Sequence, residues 1–256
     1  METTLDSILP HSAAVPLASL PVPAGPLGGL IAAARDRLVA QAGAAGVTLH
    51  LDSNMWSLAA INDEAVAAGS WEPMLPACDP RHRRLHPGNA AWLVGTGRDG
   101  AVVTAQAIVL YDCRDRSVGS IFQDLSALYD QPPGDAWCEV TSPLALSMRG
   151  RVAWALAGWT RPDHRGRALF PICHRATKLV GWLRWQPDAF IGFSDPDLAE
   201  RVWNEGYMGT RLMDPVPGVT FNQPGLRALP MHFMAWTRAM FLGDLAEPLV
   251  EVAEAA

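Results

Sequence analysis

The sequence predicts a mixed fold, α+β or α/β, in which a central sheet is flanked by helices. Three observations carry this. Ala90–Gly95 and Ala101–Tyr111 are apolar, β-branched runs joined across Gly97, Asp99 and Gly100, the signature of an antiparallel hairpin. From Val152 onward, strand-like and helix-like stretches alternate, as they do where a strand is followed by a crossover helix. Gly28–Ala44 has helical spacing, with Leu30, Ile31, Ala34, Leu38 and Val39 on one side.

In chain order, residues 1–27 are rich in Pro, Ala and Ser and read as a mobile arm, followed by the 28–45 helix, which Gly43 and Gly46 end. Val47–Leu51 alternates like a short strand, and Asp52 or Ser53 is placed to cap a helix running to about Ala68. Pro73–Pro87 is a loop, and the hairpin follows. Ser120–Tyr129 reads as a helix stopped by Pro132 and Pro133, and Cys138–Ser147 is an ambiguous apolar run. Val152–Trp159 is short and apolar enough for a central strand. Arg167–Trp185 reads as a helix, with Pro171 tolerable only in its first turn. Ala189–Phe193 is a buried strand. Ser194 or Asp195 then caps a helix with Pro196 at its first position, ending near Gly206. Tyr207–Met213 is read as a strand, Asp214–Gly225 as a Pro- and Gly-rich loop, and Leu229–Trp236 as the last strand. Residues 239–256 form a C-terminal tail.

The composition bounds the function. Of 256 residues, 49% are hydrophobic and 18% charged, which supports a sizeable core. A net charge of −6 argues against nucleic-acid binding by phosphate neutralisation, and the one dense basic run, Arg81-His82-Arg83-Arg84, reads as a solvated loop. Cys78, Cys113, Cys138 and Cys173 form no C-x-x-C pair and suit reduced thiols in the cytoplasm. The apolar stretch Ala13–Ile31 is broken by Pro16, Pro21, Pro23 and Pro26, so neither a signal peptide nor a membrane span is expected. Cys78, His82 and His86 form a C-x3-H-x3-H string without an obvious fourth ligand, and no metal site is expected.

The chemistry concentrates at Trp159-Thr160-Arg161-Pro162-Asp163-His164-Arg165-Gly166-Arg167-Ala168-Leu169. Here a strand ends, a turn follows and a helix starts. The first turn of a helix has N–H groups without partners, and its dipole favours an anion. Gly166 lets backbone approach a phosphate, Ala168 is the next smallest residue, and Arg165 and Arg167 supply charge. The stretch reads as a diphosphate cradle or as an exposed turn with two solvated arginines.

Pro162–Leu169 resembles the coenzyme A-binding signature of the GNAT (GCN5-related N-acetyltransferase) superfamily, a P-x-x-R-G-x-G/A turn between the fourth strand and the third helix. Trp203-Asn204-Glu205-Gly206-Tyr207 lies where that family commonly has Tyr-x-x-Gly-Phe. The resemblance covers roughly residues 46–238, with specific motifs in about 152–213 and an insertion at about 112–150. It implies a mixed sheet splayed between its fourth and fifth strands, with acetyl-CoA or another acyl-CoA in the cleft as co-substrate. Trp159, Thr160, Arg165, Gly166, Arg167, Ala168, Leu169 and Trp203 would contact it. Pantetheine would pair with Ala157–Thr160, and a small-molecule amine would be acylated directly, without an acyl-enzyme. No nucleic-acid or membrane partner is implied, and a homodimer is admitted. A non-catalytic acyl-CoA sensor is the alternative.

This sequence departs from the family pattern at several points. Asp163 stands where Gln or Arg is frequent, and is expected to point away or hold Arg165. Trp203 stands at the position of the thiolate-protonating Tyr, for which Tyr207 is the substitute candidate. Glu139, in the apolar stretch Trp137–Val140, is either a general base whose pKa burial would raise or an edge-strand glutamate facing solvent. Cys173 and His174 are adjacent on a helix, where side chains diverge, so they form no dyad.

Overall fold

The computed structural model describes residues 14–202, 209–223 and 228–247. Its elements are β1 (Val15–Pro16), α1 (Gly28–Ala44), β2 (Thr48–Asp52), α2 (Met55–Ala67), β3 (Ala90–Thr96), β4 (Val102–Cys113), α3 (Val118–Gln123), β5 (Trp137–Val140), α4 (Pro143–Ser147), β6 (Gly150–Thr160), α5 (Leu169–Trp185), β7 (Ala189–Ser194), α6 (Pro196–Val202), β8 (Leu212–Met213), β9 (Val219–Asn222), β10 (Leu229–Thr237) and α7 (Arg238–Ala246). The strands follow the order β1-β2-β3-β4-β6-β7-β10-β9-β5, with β8 beside β10. Every pairing is antiparallel except β6 with β7. The class is the mixed one expected.

Two cores sit on opposite faces of this sheet. One gathers α2, α3 and side chains such as Trp92, Trp154 and Phe233. The other gathers α1, α5 and α7 with Phe190, Trp236 and Phe241. Alternation along β6 divides it between them: Trp154 belongs to the first and Ala153 to the second. Helix α5 is buried along nearly its whole length. It packs tightly on β4 at Gly181, where a Cβ would stand 2.4 Å from Ile108 Cδ1, so a larger residue there would force that buried side chain to shift.

Several expected boundaries move, each for a local reason. The segment read as an arm is built into the fold from its described start: Val15 and Pro16 pair with Leu51 and His50, and Leu17 is wholly buried. Helix α2 is capped by Asn54, whose side chain accepts from the Trp56 N–H, while Asp52 accepts from the Asn54 N–H. The Ser120–Tyr129 helix is reduced to α3, and Cys138–Ser147 divides into β5 and α4. The 214–225 loop contains β9, held between β5 and β10. The tail expected from residue 239 is largely α7, capped by the Thr237 hydroxyl and anchored by buried Phe241 and Leu245. Of the 207–213 strand only β8 is present among the described residues.

Candidate functional site

The site begins with a break in pairing. β6 and β7 run parallel only at Val152, Ala153 and Trp154, opposite Ala189, Phe190 and Ile191. β6 continues to Thr160 while still paired with β4, so beyond Trp154 its other edge pairs with no described strand. A bulge accompanies the divergence: the register against β4 shifts between Ala105 and Ala107, and Ala157 takes a left-handed φ of 51°. Next to it, Gly158 is exposed, and a Cβ there would stand 2.9 Å from Phe170 Cε2. A side chain at 158 would therefore collide with α5. The pairing gap begins where the sequence reading put the splay, between the Val152–Trp159 and Ala189–Phe193 strands.

At the end of β6 the chain turns through residues 161–168 into α5. Gly166 has φ 78° and Ala168, at the helix N-cap, has φ 54°. Left-handed residues at alternate positions turn successive N–H groups toward one concave side, a geometry that binds anions. Among the described residues, the N–H groups of Gly166, Arg167, Ala168 and Leu169 donate to no backbone carbonyl outside regular helix or strand ladders and to no side chain. Nothing stands within 4 Å of a Cβ built on Gly166, so the approach to this turn is open. These residues fit a diphosphate: the donors converge, the helix dipole adds a partial positive charge, and no carboxylate lies among residues 164–170.

A cleft of about 580 Å³ lies where the free edge of β6 meets this turn, lined by Trp71, Trp159, Thr160, Arg165, Phe170 and Leu198 among others. Its outer wall comes from the end of α2. Gly69 has φ 66°, and the Gly69 and Ser70 N–H groups donate to Val66 and Ala65. That glycine-ended cap folds Ser70–Glu72 back over β6. The Ser70 carbonyl accepts from Trp159 Nε1 at 3.0 Å and from Arg165 Nη2 at 3.4 Å. The indoles of Trp71 and Trp159 stack with centroids 5.1 Å apart and 13° between planes. Buried Asn62 fixes the segment further, donating to the Glu72 carbonyl and accepting from the Met74 N–H. Glu72 also lines the cleft and is the one carboxylate in its lining among the described residues.

The structure brings Trp159, Thr160 and Arg165 together at the cleft, with Gly166, Arg167, Ala168 and Leu169 in the adjoining turn. Arg165 is engaged with the Thr160 and Ser70 carbonyls, and Arg167 with the Asp163 carbonyl at 3.3 Å. Asp163 holds Arg161 and His164, not Arg165. The Arg161 guanidinium, with His164 second, keeps its carboxyl well below the usual carboxylate range. Glu139 is exposed on β5, with Cys138 and Val140 turned inward, and does not line the cleft; the burial expected to make it a base is absent. Trp203 and Tyr207 lie outside the described residues. Cys173 and His174 face different partners, Thr104 and Gln106, and burial pushes the Cys173 thiol up to about 11. Sequence reasoning missed Ser70, Trp71 and Glu72. Gly69 closing a helix before Ser-Trp-Glu-Pro was the available signal for all three.

No protein-family profile and no curated protein matches the chain. Among solved structures it is similar to mutant forms of the spermidine/spermine N-acetyltransferase SpeG from Vibrio cholerae, at 9% identity over 78% of this chain and 98% of that one, with a TM-score of 0.45. It is also similar to the same organism's spermidine N-acetyltransferase in complex with CoA and spermine, at 9% identity over 77% and 98%, TM-score 0.43. A third is the GNAT domain of S. lividans PAT, at 10% identity over 75% and 90%, TM-score 0.40. No helix of the described residues is long and apolar enough to cross a membrane.

Proposed function

We propose that this chain is an acyl-CoA-dependent N-acyltransferase of the GNAT type, transferring an acetyl or longer acyl group directly to a small-molecule amine. The observation that carries the reading is a pair of neighbouring unused backbone stretches: the β6 edge beyond Trp154 and the N–H groups of Gly166–Leu169, with the cleft where they meet. An extended amide-bearing chain ending in a diphosphate matches such a surface. Its amides add to the open strand edge, and its phosphates sit on the turn.

In this reading Gly166–Leu169 hold the diphosphate by backbone donors. Arg165 and Arg167 give up carbonyl partners to do the same, a favourable exchange because a charge-assisted hydrogen bond is stronger than one to a neutral carbonyl. The β6 edge from Ala155 to Thr160 orients the pantetheine. The stacked Trp71–Trp159 wall excludes water from one side. An amine must lose a proton to attack and complete transfer, and this reading assigns that role to Glu72, whose residue lines the cleft and whose carboxylate would draw in the ammonium and accept the proton, directly or through water.

The test is release of the free CoA thiol from acetyl-CoA and longer acyl-CoAs against a panel of amines. Amine-dependent release supports the reading. An intact thioester with every amine, from a protein that binds CoA, overturns it in favour of a sensor.

A further inference from the structure

The cleft takes its lining from both faces of the sheet. Trp71 and Trp159 belong with the core on the α2 face, whereas Phe170 and Leu198 pack with the core on the α5 face. The turn that fits a diphosphate leads into α5, so an acyl-CoA held there approaches from the α5 face. The wall of Trp71 and Glu72, at the end of α2, is left to the second substrate.

That wall is held in place before any ligand arrives. Asn62 fixes the backbone at Glu72 and Met74, and the Ser70 carbonyl accepts from Trp159 Nε1 at 3.0 Å. With its N–H so engaged, Trp159 offers apolar surface alone, and Trp71, stacked on it at 5.1 Å, extends that surface. An aromatic ring gains roughly two- to tenfold in affinity on such a wall beyond what its buried area supplies. The charges are as restrictive. Among the described residues of the lining, Glu72 is the one anion and Arg165 the one cation. Glu72 is exposed and can meet an ammonium. Arg165 already donates to the Thr160 and Ser70 carbonyls, and in the acyl-CoA reading it turns to the phosphates. A second ammonium on the acceptor would find no second carboxylate in this lining. A carboxylate on the acceptor would face Glu72 with no cation to offset it.

We infer that the acceptor is an aromatic monoamine, a primary amine with one positive charge and a flat apolar ring, whose ring rests on the Trp71–Trp159 wall and whose ammonium meets Glu72. The inference rests on the acyl-CoA reading and adds the class of acceptor. In the transfer the amine nitrogen bonds the acyl carbon and the C–S bond breaks. The ammonium gives up one proton to become a nucleophile and the attacking nitrogen a second; one ends on the released thiol and the other passes to solvent through Glu72.

Steady-state thiol release from acetyl-CoA by the full chain tests it with four acceptors: 2-phenylethylamine, 2-cyclohexylethylamine, phenylalanine and 1,4-diaminobutane. The expected kcat/KM for phenylethylamine is at least about tenfold above those for phenylalanine and diaminobutane, and at least about twofold above that for cyclohexylethylamine. Trp71→Leu should abolish the preference for the aromatic over the saturated ring, Trp71→Phe should restore it in part, and CoA affinity by calorimetry should stay within about twofold in both, which also shows that the variants are folded. Phenylalanine or diaminobutane used as well as phenylethylamine, or phenylethylamine not used while another amine is acylated, overturns the acceptor class and leaves the acyl-transfer reading standing. An unchanged ring preference in Trp71→Leu overturns the assignment of the ring to this wall. No release with any amine overturns the acyl-transfer reading and the acceptor class with it.

Discussion

Replacing Gly166 by Asp puts two separable costs on the turn. The first is conformational. Position 166 has φ 78°, a region where a side chain costs about 1–2 kcal/mol, although Asn and Asp tolerate it best. Nothing lies within 4 Å of the new Cβ, so no steric term joins it. The second is electrostatic and belongs to ligand binding. A carboxylate about 5 Å from a phosphate charge is repelled by roughly 1 kcal/mol at the dielectric of water and about 3 kcal/mol at an effective dielectric of 20. Because the turn is exposed, the lower half of that range applies, and a diphosphate presents two such charges. A loss of about 1.4 kcal/mol or more, at least tenfold in CoA affinity, is therefore expected. Gly166→Asn is the control, with nearly the same shape and backbone strain but no charge. Calorimetry at low and moderate salt should show Asp weaker than Asn by tenfold or more, with the gap narrowing as salt rises. If folded Gly166→Asp binds CoA within about twofold of Gly166→Asn, the phosphates do not sit on this turn.

Three further outcomes are expected. Glu72→Gln should lower kcat by roughly 10²-fold with CoA affinity unchanged, and retained turnover in steady-state assays would return proton removal to solvent. Phe241→Ala should cost about 3–5 kcal/mol in urea unfolding, since that ring is fully buried against Phe190 and Trp182; a loss below about 1 kcal/mol would mean that α7 is not part of the core. Lys178 is buried beside Asp244 and over Trp236, and burial lowers its amine to about 7 from an ordinary 10.5. Below about pH 7 the amine is charged folded and unfolded. Between about 7 and 10.5 the unfolded chain holds more protons, so this group makes stability rise with pH. Thermal unfolding of wild type relative to Lys178→Met should show that rise between pH 7 and 9, and parallel curves would refute it.

What the sequence disclosed was local. The boundaries of α1, the hairpin, and the succession β6, α5, β7 follow from periodicity and turn residues that act within a few positions. What it hid depends on distant partners. β9 is four residues inside a Pro- and Gly-rich stretch, and exists because β5 and β10 flank it. α7 looked like a tail because its signal is only Phe241 and Leu245, four apart, whose meaning lies in the core that receives them. At the site, the turn was legible because its residues are contiguous. Trp71 and Glu72 were not, since a glycine-ended helix some 90 residues upstream carries them to β6. Glu139 was left with two readings although the strand's own period could have chosen between them: with Cys138 and Val140 inward, the residue between them faces out.

The most direct test of the account is backbone amide hydrogen exchange, measured by NMR on the full chain with and without saturating CoA. Protection is expected to appear in two neighbouring stretches, at the β6 N–H groups between Ala155 and Thr160 that point away from β4 and at the turn Gly166–Leu169, because these N–H groups would exchange water for the ligand. If CoA binds and protects some other surface while both stretches exchange as before, the cleft and the turn are not the acyl-CoA site.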